Sequence, residues 1–304
     1  MPPIPRNLHF IWVGSVVPTE YARNFVSWAL GNLHYETYLW TEPSHIRHTV
    51  KKLLPLFENT APFHDIAGCR KSATPLGTTL TLRSYTETQH PIHINDYKKV
   101  PPLIDRGLLR REMKDWKNYG AASDILRIEI LHFSGGIYMD FDTYERYDSL
   151  PHELIPPKGL LFLISHAAED LIKNAVIASD KNNDMLRLLA QSIEHEYLPY
   201  YPKNEDGIRY TPPQTRKMLM ELRDYRIFKE DNKDNPFADF YLGMGLEDLL
   251  KTPTFQRSGP QKIHQWISNY EHVARLTPEL ILLYDFEVQA NCKLRWESDG
   301  SWLK

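Results

Sequence analysis

Between Tyr119 and Phe133 the chain carries a stretch that is apolar on most sides, with Ala121, Ala122, Ile125, Leu126, Ile128, Ile130 and Leu131 spread around a helical wheel. A helix without a broad polar face has to be buried, so this segment reads as the interior helix of a layered domain. Gly135-Gly136 stops it, and Ile137 to Asp142 reads as a short strand leaving that stop. The N-terminal part fits the same plan. Leu8–Val13 is a short apolar, β-rich run ended by Gly14, Tyr21–Leu30 has helical spacing, and Tyr35–Trp40 reads as a second strand. A strand, a helix and a strand in that order form a βαβ unit and favour a parallel sheet.

Later segments extend the pattern. Strands are expected at Leu160–Ile164, Ala175–Ala178 and Glu279–Tyr284, and helices at Asp184–Tyr197, Gln214–Phe228 and after Gly259-Pro260. Residues 42–117 are less regular. They hold Pro-rich turns, a Thr-rich segment from Thr74 to Thr88, and the charged run Arg110 to Lys117, which reads as a solvated helix face. Without a repeat or low-complexity linker, the simplest account is one α/β domain over 1–304, with 42–117 as a helical insertion and 285–304 as a polar tail.

Composition narrows the function. The 304 residues carry 36 Lys+Arg against 39 Asp+Glu, a formal charge of −3, which leaves no electrostatic footprint for nucleic acid or anionic membranes. No apolar stretch approaches the roughly 20 residues of a membrane span. Met1 to Arg6 has no apolar core of the kind a secretory signal peptide needs. Two cysteines, Cys69 and Cys292, make neither a disulfide framework nor a thiolate zinc site. His90 and His93 lack a third ligand at suitable spacing and read as loop histidines.

The densest chemistry lies between Ser123 and Asp142. Asp124 and Arg127 stand three apart on one face of the apolar helix, the spacing of an intrahelical ion pair. Asp140-Phe141-Asp142 closes the strand, and alternation along a strand would turn both carboxylates to one side. Paired carboxylates repel, and a divalent cation relieves that cost; hard oxygen ligands suit Mg²⁺ or Mn²⁺. Taken alone, an Asp-x-Asp is also a common strand-end turn.

The longer context is Ala121-Ala122-Ser123-Asp124-Ile125-Leu126-Arg127, eight residues, then Gly136-Ile137-Tyr138-Met139-Asp140-Phe141-Asp142. This resembles the sugar-nucleotide core of metal-dependent GT-A glycosyltransferases, above all the catalytic domains of the large glucosylating bacterial toxins. Family 32 glycosyltransferases share a looser version. Ile4 to Gly14, Lys173-Asn174-Ala175, Ser258-Gly259-Pro260 and Ser301-Trp302 are similar to the toxins in the same order. The resemblance implies a GT-A, Rossmann-like, mostly parallel sheet flanked by helices.

It also implies roles. Trp12 would stack on uracil, with the backbone of Ile11 and Val13 reading its edge; Ser123 would sit by the ribose and Tyr138 would line the site. Asp124 and Arg127 would hold the sugar hydroxyls, and Asn174 would contact the donor sugar. Asp140 would bridge ribose, sugar and a metal-bound water, while Asp142 and Glu297 would ligate Mn²⁺ or Mg²⁺. Trp302 would close over the diphosphate as part of a lid formed by 285–304. Where the toxins have Ser two before this Trp, the chain has Gly300, with Ser301 adjacent.

By the same likeness, transfer from a UDP-sugar would retain the α configuration without a protein nucleophile. Ala175 leaves room for a 2-acetamido group, which favours UDP-N-acetylglucosamine over UDP-glucose. A hydroxyl on a host protein would be the acceptor, small GTPases being the class the resemblance suggests, with the domain acting as a secreted or injected effector or toxin. Two alternatives stand beside this reading. One is a glycosyltransferase of the bacterial cytoplasm building a capsular or lipid-linked glycan, and the other is a UDP-sugar-binding module without turnover.

Overall fold

The computed structural model describes residues 3–60, 66–85, 88–115, 117–145, 149–156, 159–165, 171–197, 263, 285–290 and 294–296. The expected helices at Gln214–Phe228 and after Gly259-Pro260, the strand at Glu279–Tyr284, and Cys292, Glu297, Ser301 and Trp302 lie outside them.

The chain opens with the expected βαβ unit: β1 (Asn7–Ile11), α1 (Thr19–Gly31) and β2 (Glu36–Thr41). β1 and β2 run parallel, with Phe10 beside Leu39 and Ile11 beside Trp40. Side chains of β1 alternate between two buried layers. Leu8 and Phe10 join a core with Phe25 and Trp28 of α1, while Ile11 joins a second core with Ile125 and Ile128. Each fully buried side chain of this size contributes roughly 1.5–3 kcal/mol over an exposed one.

Residues 43–60 form the next helix, α2 (Pro43–Thr60), and three strands follow: β3 (Ile66–Thr74), β4 (Gly77–Ser84) and β5 (Gln89–Asp96). The segment expected to be a helical insertion therefore supplies part of the sheet. Its signal was there in Thr78 to Leu82, where Leu80 and Leu82 alternate with Thr and are fully buried beside α2. β5 pairs parallel with β2 on one side and antiparallel with β4 on the other. His90 and His93 are thus strand residues rather than loop histidines. His90 Nδ1 bonds the Leu33 carbonyl at 2.8 Å, and His93 Nδ1 bonds Thr79 Oγ1 at 3.0 Å.

α3 (Arg106–Arg110) leads into one π-helical turn, Arg111–Asp115, which buries Arg111, Glu112 and Met113. Within the charged run Arg111 and Glu112 are accordingly enclosed, whereas Arg110, Lys114 and Lys117 are exposed as expected. An i→i+5 turn shifts residues out of the face that 3.6-residue spacing assigns them. Met113 meets the Tyr97 hydroxyl, which bonds its sulfur at 3.2 Å.

The buried helix is α4 (Tyr119–Ser134), capped by Asn118, whose Oδ1 accepts from Ala121 N at 3.2 Å. Gly135 ends it with φ +63°, and Gly136 follows at φ +111°, both in the left-handed region. A Cβ on Gly136 would stand 2.4 Å from the Asn7 carbonyl oxygen, so glycine is what lets β6 (Gly136–Met139) enter the sheet beside β1.

β7 (Thr143–Glu145), β8 (Leu160–Ser165), β9 (Leu171–Ser179) and α5 (Asp184–Tyr197) complete this part, followed by α6 (Phe286–Ala290) and β10 (Leu294–Trp296). The main sheet has the order β3-β4-β5-β2-β1-β6-β9-β8. Its four central strands are parallel, and antiparallel strands flank them on both sides. α1 and α2 cover one face and α4 and α5 the other, the layered α/β arrangement expected. Separately, β7 and β10 pair antiparallel.

Candidate active site

Ligands of open α/β sheets bind beyond the carboxyl ends of parallel strands, and the singled-out residues collect at the ends of β1 and β6, with α4 and β9 beside them. One expectation needs correction. β6 ends at Met139, and Asp140 to Thr143 form a turn closed by the Thr143 amide donating to the Asp140 carbonyl at 3.1 Å. The two carboxylates are therefore set by a turn, which Asp favours, and not by strand alternation.

Asp140 belongs to a dense polar network on α4. Tyr138 Oη donates to Asp140 Oδ1, and Ser123 Oγ lies 3.3 Å from the same hydroxyl. Arg127 stacks over the Tyr138 ring at 4.4 Å. Its Nε faces the Ser123 carbonyl at 3.3 Å, and its Nη1 donates to the Asn174 carbonyl. Nη2 reaches Asp124 Oδ1 at 3.0 Å, Asp140 Oδ1 at 3.4 Å and Ser123 Oγ at 3.4 Å. Asn174 Nδ2 returns to Asp124 Oδ1 at 2.6 Å. Every nitrogen of this guanidinium therefore has a protein acceptor.

The sequence-predicted residues Ser123, Asp124, Arg127, Tyr138, Asp140 and Asn174 thus come together in one cluster. Burial differs within it. The Asp124 and Arg127 side chains are 7 % and 5 % exposed, whereas Asp140 is 27 % exposed. Asp140 is the end of the network that a ligand reaches. Burial opposes charge on Arg127, but the nearby Asp140, Tyr138, Asp124 and Asp142 outweigh it and hold its proton tightly. The Asp140 carboxyl is pushed up by burial, with Arg127 and the Tyr138 hydroxyl pulling the other way. Burial likewise drives the Tyr138 hydroxyl well above its ordinary range, so it stays a donor.

The β1 end supplies the aromatic side. Ile11 and Val13 are buried, and Trp12 is half-buried, with ring centres 5.1 Å from Tyr21 and 5.4 Å from Phe141. The Trp12 amide donates to the Trp40 carbonyl at 2.9 Å, continuing the β1–β2 ladder. Gly14, at φ +90°, donates its amide to Glu42 Oε2 at 2.7 Å, and a Cβ there would meet the Tyr119 ring at 2.5 Å.

Two further residues hold the 140–143 turn and were not singled out from the sequence. Asn24 Nδ2 donates to the carbonyls of Phe141 at 2.7 Å and Thr143 at 2.8 Å, and Trp28 Nε1 donates to the same Thr143 carbonyl at 2.8 Å. The available signal was an Asn and a Trp four apart on the buried face of α1, both needing acceptors in a core.

Glu297, Ser301 and Trp302 lie outside the described residues. β10 pairs Trp296 with Thr143, so the residue preceding Glu297 lies beside the residue following Asp142. Among the described residues no group of three His, Cys, Asp or Glu could hold a metal. Asp142, half-buried with its Oδ1 enclosed, offers the hard oxygen chemistry that Mg²⁺ or Mn²⁺ takes, and so does Asp140. That donor set fits such an ion. No described helix is long and apolar enough to cross a membrane.

Comparison with known proteins bears out the resemblance. Residues 81–156 match the family model described as the TcdA/TcdB catalytic glycosyltransferase domain. A protein of Legionella pneumophila (strain Philadelphia 1), Subversion of eukaryotic traffic protein A, is 29 % identical over 197 residues. That match covers 64 % of this chain and 26 % of the relative, so the chain spans about a quarter of its length. Among solved structures, the PaToxG glycosyltransferase aligns with TM-score 0.55 at 18 % identity, over 92 % of this chain and 74 % of its own. The catalytic domain of Clostridium novyi alpha-toxin aligns with TM-score 0.53 at 12 % identity, over 95 % and 77 %. The UDP-bound glycosyltransferase domain of the YGT toxin follows at 0.52 and 13 %, over 95 % and 82 %. The family match takes in Ser123, Asp124, Arg127, Tyr138 and Asp140 of the cluster, and the fold around them is that of the toxin glycosyltransferase domains: over 81–156 the chain is similar to the TcdA/TcdB catalytic glycosyltransferase domain.

Proposed function

We propose that this domain transfers a sugar from a UDP-sugar to a hydroxyl group of a host protein, with a divalent cation at Asp142. The observation that carries the reading is the Asp124–Arg127–Tyr138–Asp140–Asn174 network, closed on its buried side and open at Asp140. UDP is the nucleotide bound in the YGT toxin domain, which supports the donor class.

In this reading Trp12 offers its free face to the uracil, with Ile11 and Val13 beside it and Tyr21 and Phe141 backing the ring. Ser123 and Tyr138 meet the ribose. Asp124, Arg127 and Asn174, already locked to one another, present fixed partners to the sugar hydroxyls, so little reorganisation accompanies binding. Arg127 also holds positive charge close to the departing diphosphate. Asp142 and Glu297 would hold Mn²⁺ or Mg²⁺, with Asp140 acting through a water, and the bound ion would supply Lewis-acid neutralisation of charge on the leaving group. Of the lid expected over 285–304, the first part is instead built into the fold, with Phe286 and Ala290 in the core and β10 paired to β7. The lid role falls to the remainder, where the Trp302 indole N–H, with Ser301 beside it, donates to the diphosphate while water is excluded. The α configuration is retained, and no protein nucleophile is used.

Ala175, small and buried next to Asn174, supports UDP-N-acetylglucosamine as the donor over UDP-glucose. By the same likeness the acceptor is a protein hydroxyl, with small GTPases as the class to test first, and the domain works in a host cytosol as an effector. The likeness to a Legionella protein named for subverting eukaryotic traffic supports that setting.

The test is acceptor-free donor hydrolysis: purified protein, Mn²⁺ and a panel of UDP-sugars, with released UDP as the readout. UDP release from one donor, abolished by EDTA, is the expected result. Release that persists undiminished in EDTA would overturn the cation assignment. Failure of every UDP-sugar to bind in a titration would overturn the donor reading.

A further inference from the structure

We propose that Asn24 and Trp28 are positioning residues that set Asp142 for its cation, a proposal that rests on the reading of Asp142 as a metal ligand. Asp142 stands between two carbonyls, those of Phe141 and Thr143, and α1 clamps both. Asn24 Nδ2 takes Phe141 O at 2.7 Å and Thr143 O at 2.8 Å, and Trp28 Nε1 adds a second bond to Thr143 O at 2.8 Å. The 141–142 and 143–144 peptide units, which flank Asp142, are thereby fixed to a helix.

The placement of the two donors argues for a specific purpose. Asn in a helix interior is a weak helix former, because its amide competes for nearby backbone groups. Asn24 nonetheless sits mid-helix in α1, buried between Ala22, Phe25 and Val26. Its amide is matched not to α1 but to a turn 117 and 119 positions away in sequence. Trp28, one helical turn further along, brings a donor to the same carbonyl. Phe141 is pinned from its side-chain end as well, with ring centres 5.2 Å from Phe10 and 5.4 Å from Trp12.

Thr143 carries a second duty. It pairs with Trp296 in the β7–β10 ladder, so its backbone joins the clamp to β10. Outer contacts that orient a ligand commonly change metal affinity by about 10–100-fold when removed.

The experiment compares wild type, Asn24→Leu and Trp28→Phe by Mn²⁺ titration in the presence of UDP, followed by electron paramagnetic resonance of the free ion. Amide hydrogen exchange over 136–145 is recorded on the same proteins without metal. Asn24→Leu keeps the side-chain shape and removes the donor; Trp28→Phe removes one bond and keeps an aromatic ring. The expected result is Mn²⁺ affinity weakened about tenfold in Asn24→Leu and by a smaller factor in Trp28→Phe. Exchange should be faster at 140–144 and unchanged in α4. Folded variants that bind Mn²⁺ as wild type does, or whose 140–144 amides exchange at the wild-type rate, overturn the clamp. A wild type that takes up no Mn²⁺ with UDP overturns the metal reading and this proposal with it, and it does so before any variant is compared. If Asn24→Leu does not fold, Trp28→Phe decides by the same two readouts.

Discussion

Among the described residues the same local pattern occurs twice. Asp124-x-x-Arg127 on α4 and Asp184-x-x-Arg187 on α5 each form an ion pair with Nη2 and Oδ1 3.0 Å apart. In the first the Arg and Asp side chains are 5 % and 7 % exposed; in the second they are 48 % and 82 % exposed. Spacing and distance are equal, and everything that matters physically differs. The α5 pair stands in water, where such a bond contributes a few tenths of a kcal/mol. The α4 pair has lost its hydration and is held up by Ser123, Asn174, Tyr138 and Asp140. A buried charge survives only inside a network of this kind, and a network with one carboxylate partly open is where a ligand can complete it.

The largest expected effect breaks the α4 pair. Arg127→Ala leaves Asp124 buried without its cation and removes the fixed partner of Asp140. Stability should fall by about 3–5 kcal/mol in urea unfolding, and UDP release should be lost together with it. A drop of less than about 1 kcal/mol, the exposed-pair scale, would mean that water reaches the network after all. Asp142→Asn comes next and acts on chemistry alone. UDP release should fall at least about 100-fold, the scale of losing a group that steadies developing charge. The urea midpoint should stay near wild type. Full activity in this variant would remove Asp142 from the site.

How far these two pairs could be told apart in advance depends on their helices. The segment around Asp124 is apolar all round and the one around Asp184 is amphipathic, so the burial of the first was readable from Ala121 to Leu131. The first βαβ unit, the bounds of α5 and the Gly135-Gly136 stop were readable for the same reason: their periods are regular and their punctuation is local. Three things were not. β3 to β5 owe their existence to pairing with residues far away, and Thr-rich alternation with Pro91 in its midst looks like a loop. The π-turn at Arg111–Asp115 moves charged residues off their helical face. The turn at Asp140–Thr143 is set by donors from α1, and no short-range rule connects Asn24 to Phe141. In the site, which residues cluster was legible, whereas which of them faces a ligand was not, because that depends on exposure.

A third test uses a buried polar residue of the same sheet that takes no part in the network. His9, fully enclosed in β1, bonds the Gly135 carbonyl through Nε2 at 2.8 Å and receives Trp40 Nε1 on Nδ1 at 3.2 Å. Indole N–H only donates, so Nδ1 must be the acceptor and the ring neutral. Burial, aided by His93, lowers its pKa from 6.5 to about 4, against the Gly135 bond. The folded state thus refuses a proton that the unfolded chain takes up below 6.5. Stability should be full above pH 6.5 and decline as pH falls toward 4, by up to about 3 kcal/mol. His34 and His93 are lowered too and act in the same direction. Urea unfolding between pH 7.5 and 4.5 reads the slope, and a flat profile would mean that His9 is charged in the fold.

The smallest effect closes the comparison from its other side. Arg187→Ala removes the α5 pair, whose Arg also approaches Asp184 through Nε at 3.3 Å, with both partners at the surface. Water replaces what is lost, and the released side chain regains rotamer freedom, so the change in stability should lie within about 0.5 kcal/mol. His132 also feels this charge. Burial lowers its pKa first and Arg187 lowers it further, against Asp184, so removing Arg187 should raise it. A titration of His132 by NMR in the variant reads that shift. If Arg187→Ala instead cost several kcal/mol, exposure would fail as the criterion separating the two pairs, and the assignment of the α4 network as the site would lose its physical basis.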